Sequence, residues 1–245
     1  WCVVVVVCGG GGVGGSVHVV DVSRARVLGS GRIARNTNHK SQTGRVMHVF
    51  RRATRPEDAA TLHCDKHVVK MILECTQILY TTFHLWGVAV DVTSHIDDDA
   101  PRPYAPTHRH HPCVLWAAGC QAHYNWVLAL AFALCDEYTR RYNKIHKCSL
   151  HLQRLSQQCL AHMPTRVEPD VWITWIRNTL GCKNYDTIRY TMTSPPSGCT
   201  FGVLCIKDTP IDANGDTVAT YRNYYAQKAL VDHVSMAWST SAFCA

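Results

Sequence analysis

Between Leu62 and Leu79 the chain reads Leu-His-Cys-Asp-Lys-His-Val-Val-Lys-Met-Ile-Leu-Glu-Cys-Thr-Gln-Ile-Leu, and this stretch constrains the fold more than any other. Its apolar positions recur at helical spacing. Wound as a helix, it sets His67, Lys70 or Met71, Glu74 and Ile78 in one row, because residues three, four and seven apart share a face. A carboxylate two turns from an imidazole, with Lys66 and Lys70 beside it, then lies on an otherwise apolar element. Apolar surroundings raise a carboxylate's pKa and a neighbouring ammonium lowers it, so such a row can tune an acid–base group. The competing reading is a core helix whose polar residues only face water.

The same periodicity continues downstream. Pro56 suits a first helical turn, and the helix it opens is expected to run to about Trp86. A proline-rich loop follows over 88–112, with an acidic patch at 97–99 and the segment Thr107-His108-Arg109-His110-His111. From Cys113 a long helix is expected, with Leu115, Trp116, Gly119, His123, Trp126, Leu130, Leu134 and Tyr138 in one mostly apolar row. A shorter one should cover roughly 149–162. Residues 164–215 read as an irregular insertion containing a Ser-Pro-Pro-Ser-Gly loop and a short strand near 187–193. Asp216 should cap a last helix from Thr217 to about Trp238. The expectation is an all-α, predominantly helical single domain over 47–245.

Charge and composition narrow the functional classes. The formal charge is +7, yet six of the 25 Lys/Arg and only one of the 18 Asp/Glu fall in 1–46. That leaves 19 basic and 17 acidic residues for 47–245, so any polyanion site must be a local patch and not a global field. Residues 1–15 use only amino acids with codons built from G and T, the signature of a translated simple repeat. Residues 16–46 are rich in Arg, Ser and Asn without apolar periodicity. We expect 1–46 to be a disordered or non-native leader, with the functional chain starting near Met47, the first methionine. The 13 cysteines lack the framework of a small secreted domain and read as mostly reduced thiols. No apolar run reaches the ~20 residues of a membrane span.

Cys-x2-His occurs four times, at Cys64/His67, Cys120/His123, Cys148/His151 and Cys159/His162. Two such pairs can hold zinc, but with 15 His and 13 Cys chance pairs are expected, and no metal or cofactor is assigned. Tyr221-Arg222-Asn223-Tyr224-Tyr225-Ala226-Gln227-Lys228 interleaves aromatics with cations, which suits stacking on bases and holding phosphates. Taken alone, it suits better a helix with Tyr221, Tyr225 and Leu230 in the core and Arg222 and Lys228 in water.

Three segments together resemble the phage pyrimidine-dimer DNA glycosylases of endonuclease V type and related uncharacterised phage proteins. They are Leu62-x-x-Asp65-Lys66-His67-x6-Glu74, Pro112-x-x-Leu115-x3-Gly119-x4-Tyr124-Asn125, and Tyr221-Arg222-x-Tyr224-Tyr225-x2-Lys228-Ala229. The resemblance implies an all-helical, metal-free repair enzyme that flips a nucleotide out of kinked duplex DNA. It implies a glycosylase with abasic-site lyase activity on damaged or modified pyrimidines, working through a Schiff base. By position, Glu74 would be the acid/base carboxylate, His67 its partner near sugar or phosphate, and the residue exposed by removal of Met47, His48, would offer the amine. Lys66, Lys70, His108, Arg109, His110, Tyr221, Arg222, Tyr224, Tyr225 and Lys228 would meet the DNA. The basic residues that the family carries just before and three after its glutamate are Leu73 and Gln77 here. Double-stranded DNA is the expected partner, with no membrane and a monomeric chain inside a host cell or in a virion. The rival expectations are a catalytically inactive DNA-binding or virion-associated protein of the same fold, and a zinc-stabilised helical module.

If the leader is extraneous, removing residues 1–46 leaves the thermal midpoint nearly unchanged. A large fall in midpoint on truncation overturns that reading.

Overall fold

The structure is a computed structural model and describes residues 49–91, 101–183, 185–206 and 210–231. All of these belong to the second of two compact units, residues 45–245. The expected leader, His48, the acidic patch at 97–99 and the end of the last helix at Trp238 lie outside the described residues. In order come α1 (Pro56–Thr61), α2 (Asp65–Leu85), α3 (Pro112–Ala117), α4 (Gln121–Tyr142), α5 (Ser149–Ser156), α6 (Pro169–Thr179), β1 (Arg189–Thr191), β2 (Gly202–Leu204) and α7 (Thr217–Val231). The unit is predominantly helical, as the periodicity predicts.

α2 is the central helix and packs chiefly against α4, which α1 also crosses. Its buried set runs almost all the way round: Val68, Met71, Ile72, Cys75, Ile78, Leu79, Phe83 and Leu85, joined by polar Thr76, Thr81 and Thr82. Burying a hydroxyl costs free energy unless it is bonded. Each threonine meets that need inside its own helix, donating to the carbonyls of Ile72, Gln77 and Leu79 at 2.7 Å.

Two helices expected to be continuous are each broken in two. The first breaks at Leu62–Cys64 and the second at Ala118–Cys120. The residues entering α2 and α4 are Cys64 and Cys120, neither of which makes a side-chain cap. The breaks are held from elsewhere in the chain. Arg141, near the end of α4, donates to the carbonyls of Thr61 at 3.1 Å and His63 at 2.8 Å, and to Asp65 Oδ1 at 3.0 Å. It also donates to Glu137 at 2.8 Å. At α4's own start, the backbone N–H groups of Gln121 and Ala122 donate to the carbonyls of Pro164 and Thr165, and the Gln121 amide donates to Leu160 and Met163. These bonds satisfy N–H groups that a helix start leaves orphaned. α5 also ends earlier than expected, at Ser156, where the Gln158 amide turns to pair with the Asp91 backbone and to cap the Arg154 carbonyl.

The 164–215 segment is more ordered than an irregular insertion. It contributes α6 and an antiparallel hairpin pairing Arg189 with Leu204, Tyr190 with Val203 and Thr191 with Gly202. Trp172 of α6 is fully buried and donates from its indole to the Leu115 carbonyl at 3.0 Å. A Cβ on Gly119 would meet its ring at 2.8 Å, so glycine is needed there for close approach. Gly202 clears space in the same way for the guanidinium of Arg51, which is fully buried, bonds the Val203 carbonyl and lies 5.0 Å from the Trp116 ring centroid. Asp216 caps α7 as expected, accepting from the N–H groups of Val218 at 2.7 Å and Ala219 at 3.0 Å.

Arg141 is 2% exposed and Glu137 8%. Removing one partner of a buried ion pair typically costs about 3–5 kcal/mol, because the other charge is left uncompensated. Arg141→Ala should therefore lose about that much stability in a urea titration, with the α1–α2 junction losing hydrogen-exchange protection first.

Candidate nucleic-acid interface and acid–base site

The segment 49–52 runs beside the first turn of α2 and the middle of α7, and a cluster of rings forms where the three meet. Phe50 stacks on the His67 ring at 4.8 Å with planes 7° apart, and lies nearly parallel to Tyr224 at 5.8 Å. Tyr225 stands edge-on to Phe50, His67 and His63. Its hydroxyl is 2.5 Å from His67 Nδ1. The Arg52 guanidinium lies 4.0 Å from the Tyr225 ring centroid and the Lys228 ammonium 5.9 Å from that of Tyr224. Arg222 donates to the Arg52 carbonyl at 3.0 Å.

Burial, helped by the neighbouring His63, Lys70, Lys66 and Lys228, pushes the His67 imidazole down to about 3. His67 is therefore neutral at ordinary pH. His63 is pushed down to about 4, again chiefly by burial. It holds the Ala59 carbonyl through Nδ1 at 2.7 Å, while its buried Nε2 has no hydrogen-bond partner among the described residues. One of the two turns from His67 to Glu74 is spanned by Lys70, whose ammonium lies 2.9 Å from Glu74 Oε1. Glu74 is 6% exposed. A nearly buried carboxylate held by an ammonium at the protein surface is an oriented group, not a solvated one.

Seven residues beyond Glu74, on the same face, Thr81 fixes the 101–111 loop. Its hydroxyl, whose proton goes to the Gln77 carbonyl, accepts from the Thr107 N–H at 3.2 Å. The row His67, Glu74, Thr81 spans roughly 21 Å of helix at 1.5 Å per residue. Its far end carries His108, Arg109 and His110, all exposed around an open hollow of about 670 Å³ lined by residues 106–111.

The expected site residues are thus distributed unequally. Lys66, Lys70, Arg222 and Lys228 are exposed around the His67–Glu74 row, and Tyr224 is half-buried. Tyr221 and Tyr225 are 0% and 1% exposed. Tyr221 donates to the Val203 carbonyl and accepts from the Cys205 N–H, so its ring packs the interior and is not presented for stacking. Leu230, on the same helix, is 75% exposed and does not join that core. Sequence reasoning missed Phe50, Arg52 and His63. The signal was Arg51-Arg52 directly after the apolar Val49-Phe50, cations placed where an apolar strand-like segment meets the helix. None of the four Cys-x2-His pairs gathers a metal ligand set. His123 bonds the Trp116 carbonyl, His151 bonds Tyr80, and His67 bonds Tyr225. Among the described residues one group of three metal-capable side chains occurs, His111, Cys113 and Cys205.

Residues 47–150 match the family model described as pyrimidine dimer DNA glycosylase. No curated protein and no solved structure matches the chain significantly. The glycosylase-family span holds the ring-bearing segment at Phe50, the whole of α2 with His67, Lys70 and Glu74, and the His108–His110 loop. α7, which supplies Arg222, Tyr224, Tyr225 and Lys228, lies beyond it. No helix among the described residues is long and apolar enough to cross a membrane.

The histidines make stability depend on pH. The unfolded state takes up a proton near 6.5, while buried His63 and His123 take theirs only near 4 and 3. The unfolded state therefore binds more protons between these values, and stability present above about 6.5 is lost as pH falls. From pH 7 to pH 5 each should cost about 2 kcal/mol. Thermal melts should show a falling midpoint over that interval, and His63→Asn should flatten the fall.

Proposed function

We propose that the protein is a DNA glycosylase with abasic-site lyase activity on damaged or modified pyrimidines. The observation that carries this reading is the row of His67, Lys70 and Glu74 on α2, inside the segment matching the pyrimidine dimer DNA glycosylases. The chemistry needs a neutral amine to attack C1′ of the damaged nucleotide's sugar. A C1′–N bond to the enzyme forms as the bond to the base breaks, and the base leaves with a proton. The C1′–O4′ bond then opens, its electron pair and a proton from an acid going to O4′, and the resulting iminium makes the C2′ proton acidic, so the acid's conjugate base can remove it and expel the 3′ phosphate. An α-amine, with pKa near 7.7–8.0, offers far more neutral amine at pH 7 than a lysine near 10.4. That is the role the family resemblance gives His48.

Glu74 is the acid/base carboxylate in this reading, held by Lys70. Neutral His67, with Nδ1 accepting the Tyr225 hydroxyl proton, carries its own proton on Nε2 and donates it to a sugar or phosphate oxygen. Lys66, Lys70, Arg222 and Lys228 neutralise phosphates, Tyr224 offers a half-exposed ring to an unstacked base, and His108, Arg109 and His110 hold the strand about two helical turns beyond Glu74. Tyr221 and Tyr225 serve by fixing α7 and orienting His67. A second reading, a DNA-binding or virion-associated protein without the chemistry, is favoured by Leu73 and Gln77, partly buried neutral residues flanking Glu74.

Glu74→Gln keeps volume and hydrogen bonding but removes proton transfer. Single-turnover cleavage of ultraviolet-damaged or abasic duplexes should fall about 10²–10⁴-fold, with binding retained. His67→Ala should cost less. A Glu74→Gln protein that is destabilised yet cleaves at full rate once folded contradicts the role. For the binding surface, Arg222→Ala with Lys228→Ala should weaken duplex binding and reduce the salt slope by about one per lost phosphate contact. Unchanged affinity and slope remove α7 from the interface.

A further inference from the structure

The ring cluster accounts for α7 and the start of α2, but not for the one metal-capable group in the described residues. His111, Cys113 and Cys205 bring one ligand atom each to within 4.8 Å of one another. In the structure the two sulfurs are joined as a disulfide, while the other eight described cysteines are thiols. In a reducing medium such a pair opens to two thiols. Two thiolates and an imidazole are a soft, zinc-preferring ligand set.

We propose that His111, Cys113 and Cys205 form a zinc site when the cysteine pair is reduced, so that the disulfide and the metal are alternative clasps at one position. Three features of the surroundings fit a metal. His111 is held in place, its Nδ1 accepting from the Cys113 N–H at 3.3 Å, and Pro112 between them fixes the backbone. The two sulfurs are buried, whereas His111 is half-buried and lines the open hollow of residues 106–111, which gives an ion its entry path. His108 sits in the same loop with its ring 6.5 Å from that of His111, so water or His108 would supply a fourth ligand.

The consequence is mechanical. Cys113 is the second residue of α3, and Cys205 directly follows β2. The Cys205 N–H in turn meets the Tyr221 hydroxyl of α7 at 3.2 Å, so a clasp here fixes the strand end on which α7 rests. It also anchors the His108–His110 loop. Zinc would thereby order both ends of the surface that flanks Glu74 without taking part in any chemical step. The site is independent of the glycosylase reading, since it stands equally in a protein that only binds DNA.

The exchange balances in two steps. A water-soluble phosphine is oxidised to its oxide, taking oxygen from water, while the disulfide gains two electrons and two protons to become two thiols. Zinc then displaces both thiol protons. The test uses the full chain, reduced with the phosphine, freed of it under nitrogen, and titrated with Co²⁺ and with Zn²⁺. Wild type should take up one Co²⁺ with a thiolate-to-cobalt charge-transfer band in the near ultraviolet. Zn²⁺ should displace it and raise the thermal midpoint of the reduced protein. Cys205→Ser and Cys113→Ser should lose the band, His111→Ala should lose tight binding, and exposed Cys159→Ser should change nothing. His111→Cys should keep the site with a stronger band, and a His111→Ala protein that binds Co²⁺ as tightly as wild type overturns the three-residue site. The absence of a cobalt band in reduced wild type, or a band that survives in Cys113→Ser and Cys205→Ser, overturns the proposal.

Discussion

A hydroxyl–imidazole contact, Tyr225 to His67 at 2.5 Å, joins the last described helix to the central one, and the candidate site depends on it. Tyr225 is almost fully buried, and burial raises its hydroxyl's pKa well above the usual value while lowering that of His67. Both partners are therefore neutral, and the bond is one between dipoles in a desolvated setting, where hydrogen bonds are strong and unpaired groups costly. Phe50 closes one face of this pair and Arg52 lies over the tyrosine ring. The cations remain outside, on Lys66, Lys70, Arg222 and Lys228. The result is a largely buried aromatic cluster with cations at its edge.

The cluster would be misplaced without the junction ahead of it. Arg141 reads the α1–α2 turn through two carbonyls and one carboxylate, and so fixes where α2 begins and which face His67 occupies. Burial alone would raise the Glu137 carboxyl, but hydrogen bonds from Arg140 and Arg141 outweigh it and hold it below the usual range. The ionised Glu137 in turn keeps the guanidinium fork aimed at the turn. One buried ion pair thus sets the start and rotation of the helix that carries the His67–Glu74 row.

The helical class and the His67–Glu74 row were legible in the sequence because both follow from a 3.6-residue period, which survives in any tertiary setting. The break before α2 was not legible. Cys64 is no capping residue, and the turn exists because Arg141, seventy-seven positions on, supplies its hydrogen bonds. The break before α4 was hidden for the same reason, its first N–H groups being satisfied by residues 164 and 165. At the site, Tyr221 and Tyr225 looked like stacking rings because spacing cannot say which side of α7 faces the body. Phe50 and Arg52 went unremarked because they lie outside any periodic segment. The His111, Cys113, Cys205 group was also hidden, since its third ligand is brought by a hairpin more than ninety residues downstream.

The proposed covalent chemistry on DNA has a direct chemical signature, a borohydride-reducible imine. It is tested most directly by incubating the full chain, and a chain beginning at Met47, with duplexes carrying an abasic site or an ultraviolet lesion in the presence of borohydride. The expected product is a reduced, covalent protein–DNA adduct whose formation falls sharply in Glu74→Gln. No adduct and no strand cleavage from either chain on either substrate would contradict it, leaving a protein that binds DNA without cutting it.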